Sequence, residues 1–381
     1  MAVPDWIWFI FVFAFGCCIG SFLNVVIYRL PRDKSLITPG SSCPACGERI
    51  HFYDNIPLVS WILLGRKCRF CKAPISARYF IIELLTASVF LGLFILYFRT
   101  DLLPDMRPFP AGGWFIYLIS IVLLGAFIAA SAIDLEHWVI PLSICWFVTG
   151  IGLVASSVGV YILHPSLIRA YSLLPSASAD AGALAIGAAI GLAISWVLVA
   201  TGLVKRSYET EDRGQNTEDR SEQKFNHRLE VCKEIIFLLP IFVCSAAAFW
   251  IIRETVPIAL RNSFPTQHPV IAGLLGSMWG YFVGCGIVWV VRILGTLGFG
   301  REAMGLGDVH LMGAAGAVVG PLFVVVAFFI APFFGLAWAG SQMFFKKIRQ
   351  IPYGPFLSLG VFAVMILHDW IRDRISFMFY R

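Results

Sequence analysis

Two short strings in this 381-residue chain set a carboxylate between apolar runs: "ASAIDLEHWVIP", which holds Asp134, and "MGLGDVHLMG", which holds Asp308. A charged group in such surroundings costs free energy unless it is paired, hydrogen-bonded or needed for chemistry. Two carboxylates brought to within about 3 Å cannot both ionise easily, so they share a proton and titrate as a unit. The ionised member can then take a proton from water while the protonated member polarises a scissile carbonyl. Gly305 and Gly307 carry no side chain, which lets a substrate backbone approach Asp308 closely. Peptide hydrolysis is the chemistry these residues suit. Two other readings stay open at this point: an N-cap role for Asp308, and a proton relay in an ion-coupled transporter.

A second constellation lies in "SSCPACGERIHFYDNIPLVSWILLGRKCRFCKAP". Cys43/Cys46 and Cys68/Cys71 form two C-x-x-C pairs with 21 residues between them. Each pair brings two thiolates to one ion from a tight turn, and two pairs complete a tetrahedral four-cysteine zinc site. Four thiolates leave no open position for water, so this zinc is expected to be structural. A zinc-bearing scaffold without chemistry of its own, or two independent redox or buried pairs, would use the same cysteines differently. The other six cysteines are scattered and read as core fillers.

Neighbouring polar residues have plainer readings. His137 and His310 are expected at the solvated headgroup boundary, and Glu136 and Glu302 in solvent. Glu83 is expected to be buried and to pair with Arg78 on the same helix.

Long apolar segments must position these groups. The chain is 59% hydrophobic and 14% charged, with 33 Phe and 12 Trp, against roughly half and a quarter in an average globular protein. It is expected to be an all-α, polytopic membrane bundle of about eight to ten spans, in contact with the lipid bilayer. The drawn runs are 6–28, 79–98, 113–133, 139–162, 182–204, 235–253, 269–297, 309–320, 321–344 and 355–369. The first lacks a basic start and exceeds a signal-peptide core, so it reads as an uncleaved span with its N-terminus outside. Residues 29–78 carry nine Lys/Arg against three acidic residues, which places that loop in the cytoplasm. Counting spans from there puts Asp134 and Asp308 on the cytoplasmic side. The net charge of +6 follows this topology, and no nucleic-acid-binding motif is present. The expected domains are 1–28 (first span), 29–78 (zinc loop), 79–204 (first aspartate), 205–268 (charged insert plus an extra span) and 269–381 (Gly-x-Gly-Asp).

Taken together the strings resemble the type IV prepilin leader peptidases, bifunctional membrane aspartic peptidases of bacterial pilus assembly and type II secretion. "GSFLNVVIYRLP" at 20–31 resembles the family's entry motif, and the cysteine loop resembles it nearly throughout. "IDLEHWVIP" at 133–141 and "REAMGLGDVHLMGAAGAVVG" at 301–320 resemble its two catalytic motifs, and "IPYGPFLSLG" at 351–360 its C-terminal signature. The resemblance implies Asp134 and Asp308 as the catalytic aspartates and Cys43, Cys46, Cys68 and Cys71 as zinc ligands. It implies prepilin and pseudopilin substrates, cut after a glycine at the cytoplasmic face of the inner membrane. It further implies N-methylation of the new N-terminus with S-adenosylmethionine, for which the sequence gives no donor site of its own. Three departures are His310 where the family commonly has Lys, Leu142 where it has Asp, and Phe80 where it has Pro. Family members also typically have eight spans, against the ten runs drawn here.

Overall fold

The structure, a computed structural model, describes residues 4–100, 109–164, 174–204, 227–345 and 352–379. Residues 205–226 of the charged insert expected within 205–268 lie outside the described residues. Among the described residues the α-helices are α1 (Asp5–Arg29), α2 (Val59–Leu63), α3 (Ala77–Phe98), α4 (Gly113–His137), α5 (Leu142–Ile162), α6 (Ala179–Ala200) and α7 (His227–Thr255). They continue as α8 (Ile258–Gln267), α9 (Pro269–Phe299), α10 (Leu306–Val319), α11 (Pro321–Phe345), α12 (Gly354–Ile366) and α13 (His368–Phe379).

Eight of these, α1, α3 to α7, α9 and α11, are long and apolar enough to cross a membrane. The chain is a polytopic helical membrane protein. Two of the ten expected spans differ. The run expected at 309–320 is the 14-residue α10, about 21 Å long at 1.5 Å per residue and short of the ~30 Å hydrocarbon layer. The last run bends by 75° between α12 and α13, so the pair makes a ninth span only if counted together.

The chain divides into two compact units. The first comprises Met1–Ile151, Tyr161–Leu173 and Val326–Arg381. Within it α1 and α3 meet at small residues: a Cβ on Gly16 would lie 2.6 Å from the Ala87 Cα, and one on Gly20 2.6 Å from the Glu83 Cα. Lipid gives helices no hydrophobic reason to associate, so close backbone contact supplies the attraction. Trp6, Ile10 and Phe11 on α1 are exposed, as suits side chains facing hydrocarbon.

The second unit comprises Gly152–Val160 and Leu174–Val325. Here α6 meets α7 where Gly187 packs on Ser245, and α9 meets α10 where Gly280 and Gly316 touch each other's backbone. The apolar residues of α10 from Leu311 to Val319 are all buried, so this helix is enclosed by protein. A turn at Gly320, with φ 87°, separates it from α11.

Candidate active site and metal centre

The cysteine loop is built from two knuckles of one design. In the first, the Cys43 amide donates to the Glu48 carbonyl, Gly47 donates to Cys43, and Ile50 donates to Ser41. In the second, Cys68 donates to Ala73, Lys72 to Cys68, and Ile75 to Arg66, the same register 25 positions on. Both turns need a left-handed residue after the second cysteine, supplied by Gly47 (φ 74°) and by Lys72 (φ 60°).

The thiol sulfurs of Cys43, Cys46, Cys68 and Cys71 all lie within 4.8 Å of one another. The Cys43 and Cys71 sulfurs are 3.8 Å apart, the separation of about 3.8 Å that tetrahedral bonds of ~2.3 Å to zinc require. Amide donors from Cys46 and Ala45 bring the Cys43 thiol down to about 7, and a thiolate is the form that binds metal. The Glu48 amide acts in the same sense on Cys46, yet burial and the neighbouring Cys43 and Cys71 thiols push it up to about 11. The four-sulfur cluster is able to hold a metal ion.

The loop is tied to the membrane helices of its unit. Glu83 on α3, buried at 7% exposure, accepts the Leu58 amide at 2.7 Å. The Trp61 ring stacks on Phe80 at 4.8 Å, and Asn24 donates to the Tyr79 carbonyl at 3.0 Å. Glu83 is therefore buried as expected, but its partner is the loop backbone. Arg78 instead pairs with Glu136 at 2.6 Å, and Glu136 remains exposed as expected.

Asp134 sits in the last turn of α4, one turn before the helix stops at Trp138 in a left-handed cap. The residue is 6% exposed, and its carboxylate accepts the Gly354 amide at 3.0 Å. The Gly354 carbonyl in turn accepts the Ser358 hydroxyl at 3.0 Å, and Ser358 Oγ accepts from Ser131 one turn before Asp134. The Gly354 residue is thus gripped through both its N–H and its carbonyl, and a Cβ there would lie 2.7 Å from Asp134 Oδ2. The string "IPYGPFLSLG" by itself gives Gly354 no such task.

Asp308 lies inside the first turn of α10, with Gly305 as N-cap. Its Oδ2 accepts the Gly305 amide at 3.3 Å, the arrangement by which an acidic third residue satisfies an orphan N–H at a helix start. The N-cap reading is thus corrected: Gly305 is the N-cap, and Asp308 caps from the third helical position. Gly307 is within α10, and a Cβ on Gly305 would meet Asp308 only at 3.6 Å. His310 bonds the Tyr281 hydroxyl at 2.9 Å and is half-buried. Asp134 belongs to the first unit and Asp308 to the second, so each is described within its own unit.

Of the scattered cysteines, Cys17, Cys145 and Cys285 are buried, Cys244 is half-buried, and Cys18 and Cys232 are exposed. The core-filler expectation thus fits some and not others. Glu234 and Arg292, which the sequence reading did not single out, are buried charges within α7 and α9. Their signal was available as ionisable residues inside or at the edge of apolar runs.

Part of this site falls within stretches that match known proteins. Residues 14–97 match the family model of the bacterial peptidase A24 N-terminal domain, and residues 235–340 that of the type IV leader peptidase family. The four cysteines fall in the first match and Asp308 in the second, whereas Asp134 lies in neither. A prepilin leader peptidase/N-methyltransferase of Myxococcus xanthus is 43% identical over 135 residues, 35% of this chain and 36% of that protein. A type 4 prepilin-like proteins leader peptide-processing enzyme of Escherichia coli is 40% identical over 145 residues, 33% of this chain and 48% of its own. The chain spans about half the length of these relatives or less. The prepilin leader peptidase/N-methyltransferase of Aeromonas hydrophila is 31% identical over 243 residues, covering 52% of this chain and 79% of that protein. No solved structure matches the chain. With both family models matched in order and four-fifths of the Aeromonas relative aligned, the chain belongs to the prepilin leader peptidase/N-methyltransferase family.

Proposed function

We propose that this chain is a membrane aspartic endopeptidase that removes the basic leader from type IV prepilins and pseudopilins. One observation carries the reading: Asp134 and Asp308 are each buried at a helix end and each accept a backbone N–H from a glycine. A backbone donor fixes the direction of a carboxylate, as general-base chemistry requires. The ionised aspartate takes a proton from water, the hydroxide attacks the scissile carbonyl, and the protonated aspartate donates to the carbonyl oxygen. Collapse returns a proton to the leaving amine. Gly305 and Gly307 leave room for the substrate backbone beside Asp308. The relatives named above are peptidases, which lends the proton-relay reading no support.

The finer assignments belong to the same proposal. The active site faces the cytoplasm across the bacterial inner membrane, with the loop 29–78 on that side. Zinc held by Cys43, Cys46, Cys68 and Cys71 clasps the two knuckles and leaves no open position for substrate. The enzyme also methylates the new N-terminus with S-adenosylmethionine, an activity we place near the 29–78 loop. Two relatives carry N-methyltransferase in their names. The mature subunits pass to a pilus or type II secretion assembly machinery. The domain limits at 28, 78, 204 and 268 are kept, with 79–204 and 269–381 each supplying one aspartate.

The test is incubation of the purified full chain in detergent with a leader-bearing prepilin. Wild type is expected to release the leader, and Asp134→Asn or Asp308→Asn to lose about a thousandfold or more in rate. With S-adenosylmethionine present, the product mass reports methylation. Wild type leaving several different prepilins intact, or either variant cutting normally, defeats the reading.

A further inference from the structure

Arg292 lies within the apolar span α9 and is 1% exposed. A guanidinium buried in a membrane helix is costly, and such residues are retained for a task. Its Nε donates to Glu234 Oε1 of α7 at 2.9 Å, and Glu234, 3% exposed, also accepts the Trp289 indole at 3.2 Å. The other end of the fork turns to the loop before α10. Nη1 pairs with Glu302 Oε1 at 2.7 Å and donates to the Met304 carbonyl. Glu302 is exposed, as expected, yet it reaches the buried guanidinium. Thr296, one turn beyond Arg292 on α9, accepts the Ala303 amide at 3.3 Å.

The Met304 carbonyl and the Gly305 amide are two ends of one peptide group. Its oxygen is held by Arg292, and its N–H donates to Asp308 Oδ2. Peptide planarity transmits orientation from one end to the other without a soft dihedral between them. We propose that Arg292, anchored by Glu234, is a positioning residue that fixes the Met304–Gly305 peptide plane and through it the Asp308 carboxylate. Rotation of that plane would swing the Gly305 N–H away from Asp308 and let the carboxylate turn. Glu234 keeps the guanidinium fork at the angle the carbonyl needs, since a planar donor has little tolerance for tilt. The inference rests on the reading of Asp308 as catalytic.

Because a lone buried charge would destabilise the fold, the first variant is the neutral pair Glu234→Gln/Arg292→Gln. It is expected to melt near the wild-type temperature while kcat for a leader-bearing prepilin falls roughly tenfold to a hundredfold. KM should stay within about twofold, the pattern of an interaction felt in the transition state. Hydrogen exchange of the 303–308 amides should rise while exchange in the body of α9 does not. Arg292→Lys, which keeps the charge but loses the fork, should recover part of kcat, and it carries the test if the neutral pair fails to fold. A folded variant with wild-type kcat, or with unchanged exchange at 303–308, overturns the proposal. If wild type cuts no prepilin, the proposed function falls, whereas the exchange measurement still decides whether Arg292 holds this loop.

Discussion

Asp134 and Asp308 accept the same kind of hydrogen bond from very different distances along the chain. The glycine that serves Asp308 is three residues away, whereas the one that serves Asp134 is 220 residues away. The first arrangement is a property of how a helix begins, so it forms once α10 forms. The second exists only after α12 has docked on α4, and it depends on Gly354 having no Cβ. One carboxylate is oriented by local geometry and the other by tertiary packing.

The sharpest way to break this contrast is to add one methyl group at each glycine. Gly354→Ala must displace the Asp134 carboxylate, and activity is expected to fall about a hundredfold with only a small loss of melting temperature. Gly305→Ala meets nothing closer than 3.6 Å, so folding should be unaffected. Any loss should be several-fold and appear in KM, since only the room for substrate shrinks. Equal effects of the two alanines, read by cleavage kinetics and thermal melts, would refute the distinction.

The loop 29–78 repeats the contrast on a smaller scale. Each knuckle closes through local bonds, while Cys43 meets Cys71 across 28 residues. Stripping the metal with a chelator should therefore separate the knuckles, seen as faster exchange throughout 51–75, while leaving the membrane helices protected. Unchanged exchange would show that the sulfurs are not joined by an ion. Next in size is Ser358→Ala, which removes one support of Gly354 and should cost about 1 kcal/mol and a few-fold in kcat.

The smallest expected effect is a pH dependence within the loop. Arg69 donates twice to Asp54 and holds its carboxyl below the usual carboxylate range. A depressed folded value contributes stability above the unfolded value of about 4, and that stability is lost as pH falls through the lower folded value. Exchange in 52–70 should thus accelerate below about pH 4, and Asp54→Asn should flatten the response.

The parts of this molecule legible in the sequence are those whose signal is local. The C-x-x-C spacing announces the four-thiol cluster because each knuckle is built by its own residues. The apolar runs announce the spans because their length must match hydrocarbon. Both aspartates stand out as charges at the edge of such runs. Helix ends were less readable: α4 continues to His137 and α10 begins at Leu306, so both aspartates lie inside helices rather than beside them. Partners across the fold were unreadable. Arg78 has carboxylates at positions 83 and 136 within conceivable reach, and closeness in sequence favours the nearer, yet five residues put the two on different helix faces and folding selects Glu136. Gly354 could not be matched to Asp134 because nothing local to either string refers to the other.

The burial of α10 from Leu311 to Val319 bears on how Asp308 would respond to a change in the surrounding bilayer. Long spans feel hydrophobic mismatch and tilt or stretch when bilayer thickness changes. α10 has 14 residues, and its apolar residues from Leu311 to Val319 are covered by protein, so little of that stretch is left to meet lipid. A change of thickness would reach Asp308 through the neighbouring spans, among them α9, to which Arg292 and Thr296 tether the preceding loop. The carboxylate is mechanically referenced to a neighbouring helix rather than to the depth of the bilayer, as a shelf is to its bracket and not to the water level.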